Sequence, residues 1–127
     1  MQKHEIWLAL AEDDLKVATL ILNSNEIILG PVFFHIQQCV EKALKSYLIF
    51  KRQNVRRTHD LVVLVENCME FDAEFSIFLK DAADLTPYAS ETRYPDACFV
   101  MPDVSTAKID MGKADKILEF VRRKTAY

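Results

Sequence analysis

The chain has 127 residues, half of them hydrophobic, with only two glycines and four prolines. That length supports one domain, residues 1–127, with its own core, and the apolar share excludes a disordered chain. Two glycines cannot build a phosphate-cradling loop of the P-loop or dinucleotide type, and a net charge of -3 leaves nucleic-acid contact to a local basic patch.

The sequence predicts a first helix over about residues 2–23. Trp7, Ala11, Leu15, Ala18 and Leu22 recur at steps of three or four, with Leu8 beside them. Glu12 and Lys16 form an i,i+4 pair in the favourable order, and Asn23-Ser24-Asn25 supplies a break. Gly30-Pro31 punctuates the chain again, and a second helix follows from about Pro31 to Arg52. Its stripe is Ile36, Val40, Ala43, Leu44, Tyr47 and Leu48. Gln37, Gln38, Glu41, Lys42 and Lys45 read as a polar face, solvated or part of a dimer contact.

Thr58 sits where an N-cap belongs, opening a third helix of about 58–71 that carries Leu61, Val62, Leu64, Val65 and Cys68. Val62–Val65 suits a strand by propensity, but the cap and the spacing favour helix. A fourth helix, about 73–89, buries Phe75, Phe78, Leu79, Ala82 and Leu85, with Pro87 kinking or ending it. Glu91 to Val104, with Pro95 and Pro102, reads as an irregular loop. Ser105 then caps a last helix, about 105–124, with Ala107, Met111, Ala114, Leu118 and Val121 inward. Five amphipathic helices and no convincing strand make the fold class all-α, an antiparallel helical bundle.

Cys39, Cys68 and Cys98 lie about thirty residues apart with no CxxC, the pattern of reduced thiols in a cytoplasmic protein rather than a disulfide frame. The start, MQKHEIWLALAEDD, has no apolar run of signal length, and no stretch suits a membrane span. An aromatic surplus, including Phe33, Phe34 and Phe99, points to a homodimer.

Lys51 to Arg57 holds four positive charges in seven residues, at the junction of the second and third helices. Arginine forks match phosphate oxygens, and a helix start adds free N–H groups, so Arg52, Arg56 and Arg57 are candidate phosphate ligands. A solvated basic loop with an ordinary cap has the same pattern. His59 follows in the expected first turn, where the dipole and three arginines disfavour its charged form and suit it to act as a base or an acceptor. A histidine bonded to the neighbouring loop fits equally. Arg93 could reach a phosphate while Tyr94 stacks on a base, or Pro95 could fix a turn that packs Tyr94 on the bundle.

Metal readings lack ligands. His35 and Cys39 share a helix face with no third partner, and no cofactor is expected. His35, His59-Asp60 and Asp81 or Asp84 imitate the H…HD…D order of metal-dependent phosphohydrolases, an outside alternative, but arginines crowd His59. The six carboxylates from Glu66 to Asp84 form a solvated face or a surface for a basic partner.

Together, W-L-A-L-A-E-D-D-L at Trp7–Leu15, F-H-I-Q-Q-C-V-E-K-A-L-K-S-Y-L at Phe34–Leu48, R-T-H-D-L at Arg57–Leu61 and Y-A-S-E-T-R-Y-P-D at Tyr88–Asp96 resemble the HEPN domain family. The resemblance spans roughly Ile6 to Val121. It implies an antiparallel up-and-down bundle of four to five helices, usually a homodimer, that binds nucleotide or RNA or pairs with a minimal nucleotidyltransferase in a toxin–antitoxin-like system. The alternative it implies is a metal-independent endoribonuclease, in which Arg52 and His59, with six residues between them, would be the catalytic Arg-x6-His pair.

Overall fold

The structure, a computed structural model, describes residues 1–92 and 98–126 and contains five α-helices: α1 (Lys3–Leu22), α2 (Leu29–Phe50), α3 (Leu61–Met69), α4 (Leu79–Leu85) and α5 (Val104–Lys124). No strand occurs among the described residues. α2 is the axis of the bundle, packed against α1, α3 and α5. Val32, Phe33, Ile36, Cys39, Val40, Ala43, Leu44 and Tyr47 bury successive turns of it, because three- and four-residue steps hold one helix face toward its neighbours.

The helix starts differ from expectation for identifiable reasons. α2 begins at Leu29, two residues before the expected start, and Pro31 lies in its first turn as expected. The first four helical N–H groups have no intrahelical acceptor, so Pro31 costs nothing there. α3 starts at Leu61 because Asp60 is the cap, its carboxylate accepting from the Val62 and Val63 N–H groups at 2.9 and 3.4 Å. Thr58 instead accepts from the Asp60 N–H. α5 is capped by Asp103, which accepts from the Thr106 N–H at 2.9 Å, while Ser105 donates to the same carboxylate.

The expected fourth helix is broken in three. A 3-10 turn over Ala73–Phe78 leads into α4, and a second, Thr86–Ala89, contains Pro87. Three residues per turn eclipse positions i and i+3, so Phe75 and Phe78 both reach the core. There they meet Tyr47 and Phe120, with ring centroids 4.5 Å (Tyr47–Phe75) and 4.9 Å (Phe75–Phe120) apart.

Cys39 and Cys68 are buried and unbridged, and burial pushes both thiols up to about 12, which makes them inert core residues. Phe33 is fully buried against Tyr88 rather than surplus surface, and Phe34 and Phe99 are half-buried. Among the described residues no helix is long and apolar enough to cross a membrane.

Candidate functional site

The expected polar face of α2 is only partly solvated, with Gln38 and Lys42 half-buried. Gln37, Glu41 and Lys45 are buried, at 0, 4 and 5% exposure. Glu41 is the centre of this cluster. Its carboxylate accepts from Lys45 Nζ at 3.0 Å, from Gln37 Nε2 at 3.2 Å and from His59 Nδ1 at 2.8 Å. Burial acts to raise the Glu41 carboxyl, but the hydrogen bonds from His59, Lys45 and Gln37, with the Lys45 charge, outweigh it and hold the group below the ordinary 4.5.

His59 therefore lies before the cap of α3, not in its first turn, and its immediate neighbour is a carboxylate. Gln37 also donates to the His59 carbonyl at 3.0 Å, fixing the backbone beside the ring. An ionised carboxylate only accepts, so Nδ1 carries the proton toward Glu41 and Nε2 is the nitrogen left to solvent. The side chain is 72% exposed.

The basic junction is anchored at its other end by the C-terminus of α2. The Arg52 N–H donates to the Ile49 carbonyl at 2.8 Å and the Gln53 N–H to the Leu48 carbonyl at 2.9 Å. This is a Schellman closure, with Arg52 at the left-handed position, φ 61°. Glycine normally occupies that position, because a Cβ there costs about 1–2 kcal/mol. Arg52→Gly is accordingly expected to raise the urea midpoint by the equivalent of about 1 kcal/mol. An unchanged or lower midpoint would show that the guanidinium contributes stabilising contacts of its own.

From this turn the cations diverge. Arg52 lines a groove with Gln2, Lys3, His4 and Phe50 at the start of α1. Arg56 lines a separate cavity of about 240 Å³ with Gln53, Asn54, Asn67, Glu70 and Phe71. Arg57 is exposed. Among the described residues none of the three arginines holds an ion pair, whereas Lys42, Lys45, Lys80, Lys113, Arg122 and Lys124 all do.

Arg52 and His59 are not side by side within the chain. The His59 ring sits at the level of Glu41, and Phe50 is nine residues further along α2, roughly 14 Å at 1.5 Å per residue. Arg93 and Tyr94 lie outside the described residues. Phe71, Asn54 and Asn67 are the site residues that sequence reasoning missed. Phe71 was hidden in an acidic run, yet it is 42% exposed and shares the Arg56 cavity.

The residues of the phosphohydrolase alternative are held separately. His35 Nδ1 contacts Asp14 at 2.8 Å, Asp60 caps α3, and Asp84 meets Lys80 and Lys113. No three metal-ligating side chains converge among the described residues. Part of the acidic run is matched by α5, since Lys124 binds Asp72 at 2.8 Å and Glu74 at 3.3 Å.

Comparison with known proteins places this geometry in context. The HEPN domain model matches residues 4–124. The fold is similar to the crystal structure of TT1696 from Thermus thermophilus, with a TM-score of 0.84, 29% identity, and coverage of 98% of this chain and 99% of that one. It is also similar to ST0689, described as an archaeal HEPN homologue, with a TM-score of 0.78, 25% identity, and coverage of 99% and 100%. No curated protein matches the chain.

Proposed function

The chain belongs to the HEPN domain family, and we propose that it acts as an RNA-binding module through the junction between α2 and α3. The carrying observation is that an exposed aromatic ring and a cation without an ion pair, Phe71 and Arg56, line one cavity beside Arg57. Single-stranded nucleic acid is held in this way, with phosphates on cations and bases stacked on aromatic faces. Asn54, Asn67 and Gln53 add amide donors and acceptors for base edges.

The Arg56 cavity, about 240 Å³, is also lined by the Glu70 carboxylate. It suits one base laid on Phe71, with the backbone running over Arg56 and Arg57.

The test is binding of a single-stranded RNA oligomer across a salt series. Arg56→Ala/Arg57→Ala is expected to weaken binding and to flatten the log–log salt slope by about 0.7 per lost phosphate contact. Phe71→Ala is expected to lose about 1–3 kcal/mol of binding with its salt slope unchanged. Wild-type affinity and slope in both variants would return the junction to a solvated basic loop.

One observation favours a second reading, metal-independent RNA cleavage. A buried carboxylate that orients an exposed imidazole leaves Nε2 free to take a proton from a ribose hydroxyl.

A further inference from the structure

His4 is a buried imidazole that the bundle leaves unused. It is 5% exposed, its carbonyl accepts from the Ser46 hydroxyl at 2.7 Å, and its ring stands edge-on to Phe50 with centroids 5.0 Å apart. Neither ring nitrogen has a hydrogen-bond partner among the described residues. Buried polar groups are ordinarily paired, so one that is not calls for a partner from outside. Among the described residues no side-chain nitrogen sealed from solvent lacks a partner, so the His4 nitrogens open on to the surface.

The surface they reach is a groove between the start of α1 and the end of α2, lined by Gln2, Lys3, His4, Ile49, Phe50 and Arg52. Lys3 and Arg52 hold no ion pair among the described residues, and no described carboxylate lines the groove. On its other side His4 borders Glu5 and Arg122, but there Arg122 is already held by Glu12 at 2.9 Å and by Glu119. The unmatched positive charge is therefore on the Lys3–Arg52 side. The start of α1 adds to it. The Glu5 and Ile6 N–H groups donate to the Gln2 carbonyl, whereas those of Lys3 and His4 have no intrahelical acceptor. Arg52 is also held at φ 61°, and strain kept at such a position points to a side chain in use.

We propose that this groove binds a phosphate monoester. A guanidinium fork, an ammonium and an imidazole line it, and a monoester brings three terminal oxygens and a charge of roughly -2. A backbone diester has fewer terminal oxygens and a single charge, and a carboxylate is flat, so each leaves more of these donors unmet. The inference is independent of RNA held at the Arg56 cavity, and either can fail alone. Free phosphate and the 5′ end of an RNA share this chemistry.

Inorganic phosphate titrated into the full chain at constant ionic strength tests it, with the Lys3 to Glu5 amides and the His4 ring followed by NMR. A saturable shift is expected, with a dissociation constant of about 1 mM or below. Dimethyl phosphate, a diester, should bind about tenfold more weakly or worse. Arg52→Gly should also lose about tenfold or more, and it relieves the left-handed turn, so unfolding does not explain the loss. His4→Phe keeps a ring against Phe50 and should lose about threefold to tenfold. Lys16→Ala, an exposed lysine elsewhere on α1, should bind as wild type does. A 5′-phosphorylated RNA oligomer that moves these resonances, when its 5′-hydroxyl form does not, makes the strand end the source. If neither oligomer moves them while phosphate does, free phosphate is the source. No saturable shift by about 20 mM phosphate, a diester that binds equally well, or an Arg52→Gly variant with unchanged affinity would each overturn the proposal.

Discussion

Glu41→Ala is expected to cost about 3–5 kcal/mol of stability, a large part of what a domain of this size has to lose. The side chain is 5% exposed, and removing it leaves the Lys45 ammonium, 7% exposed, with no counter-charge. It also strands the Gln37 amide and frees the His59 ring that together hold the end of the basic junction. Most of the loss comes from the orphaned lysine rather than from the worth of the pair, because a buried ion pair barely repays its own desolvation. Lys45→Met in the Glu41→Ala background should therefore recover part of the loss, as measured by urea unfolding. A full additive loss in the double variant would place the cost elsewhere.

The same carboxyl sets a pH dependence. Its folded value lies below 4.5, so the unfolded chain binds that proton more readily. The contribution is fully present above about pH 5 and is lost as pH falls through the folded value. Asp103 acts in the same direction through the Thr106 N–H and the Ser105 hydroxyl. Acid unfolding of wild type should accordingly be steeper below about pH 4.5 than that of Glu41→Ala.

The helices could be read in the sequence because their stripes are local. The α2 core of Ile36, Val40, Ala43, Leu44 and Tyr47 follows from spacing alone, as does the burial of Phe75 and Phe78. What could not be read was competition between near-equivalent local choices. Thr58 and Asp60 are both residue types that cap helices; it is the Asp60 carboxylate that accepts from the Val62 and Val63 N–H groups, while the Leu61 N–H finds the Thr86 hydroxyl at 3.0 Å, a tertiary contact. The buried polar face was invisible for a similar reason. Gln37, Glu41 and Lys45 look like solvent-facing residues until a segment more than a dozen positions away covers them and supplies His59. Phe71 illustrates the converse. An aromatic in an acidic run carries no periodic signal, and its link to Arg56 exists only because α3 folds back beside the end of α2.

His59→Ala is expected to leave the affinity for a single-stranded RNA within about tenfold of wild type, since an imidazole adds one hydrogen bond, roughly 0.5–1.5 kcal/mol. The effect on any cleavage should be far larger, a loss of roughly 10²–10⁴-fold, the share of a positioned acid or base. Glu41 makes the comparison sharper. Its carboxylate can only accept, so it holds the Nδ1–H tautomer and leaves Nε2 as the base. Glu41→Gln presents an amide that can donate instead, so the opposite tautomer becomes available and cleavage should fall although His59 is intact. Both losses should be the same with a chelator present, because no step in this scheme uses a metal. Wild-type protein that binds RNA at the Arg56 cavity and cuts none of a broad panel would leave the binding module and remove the nuclease. Cleavage that survives His59→Ala would instead place the chemistry away from the Glu41 couple.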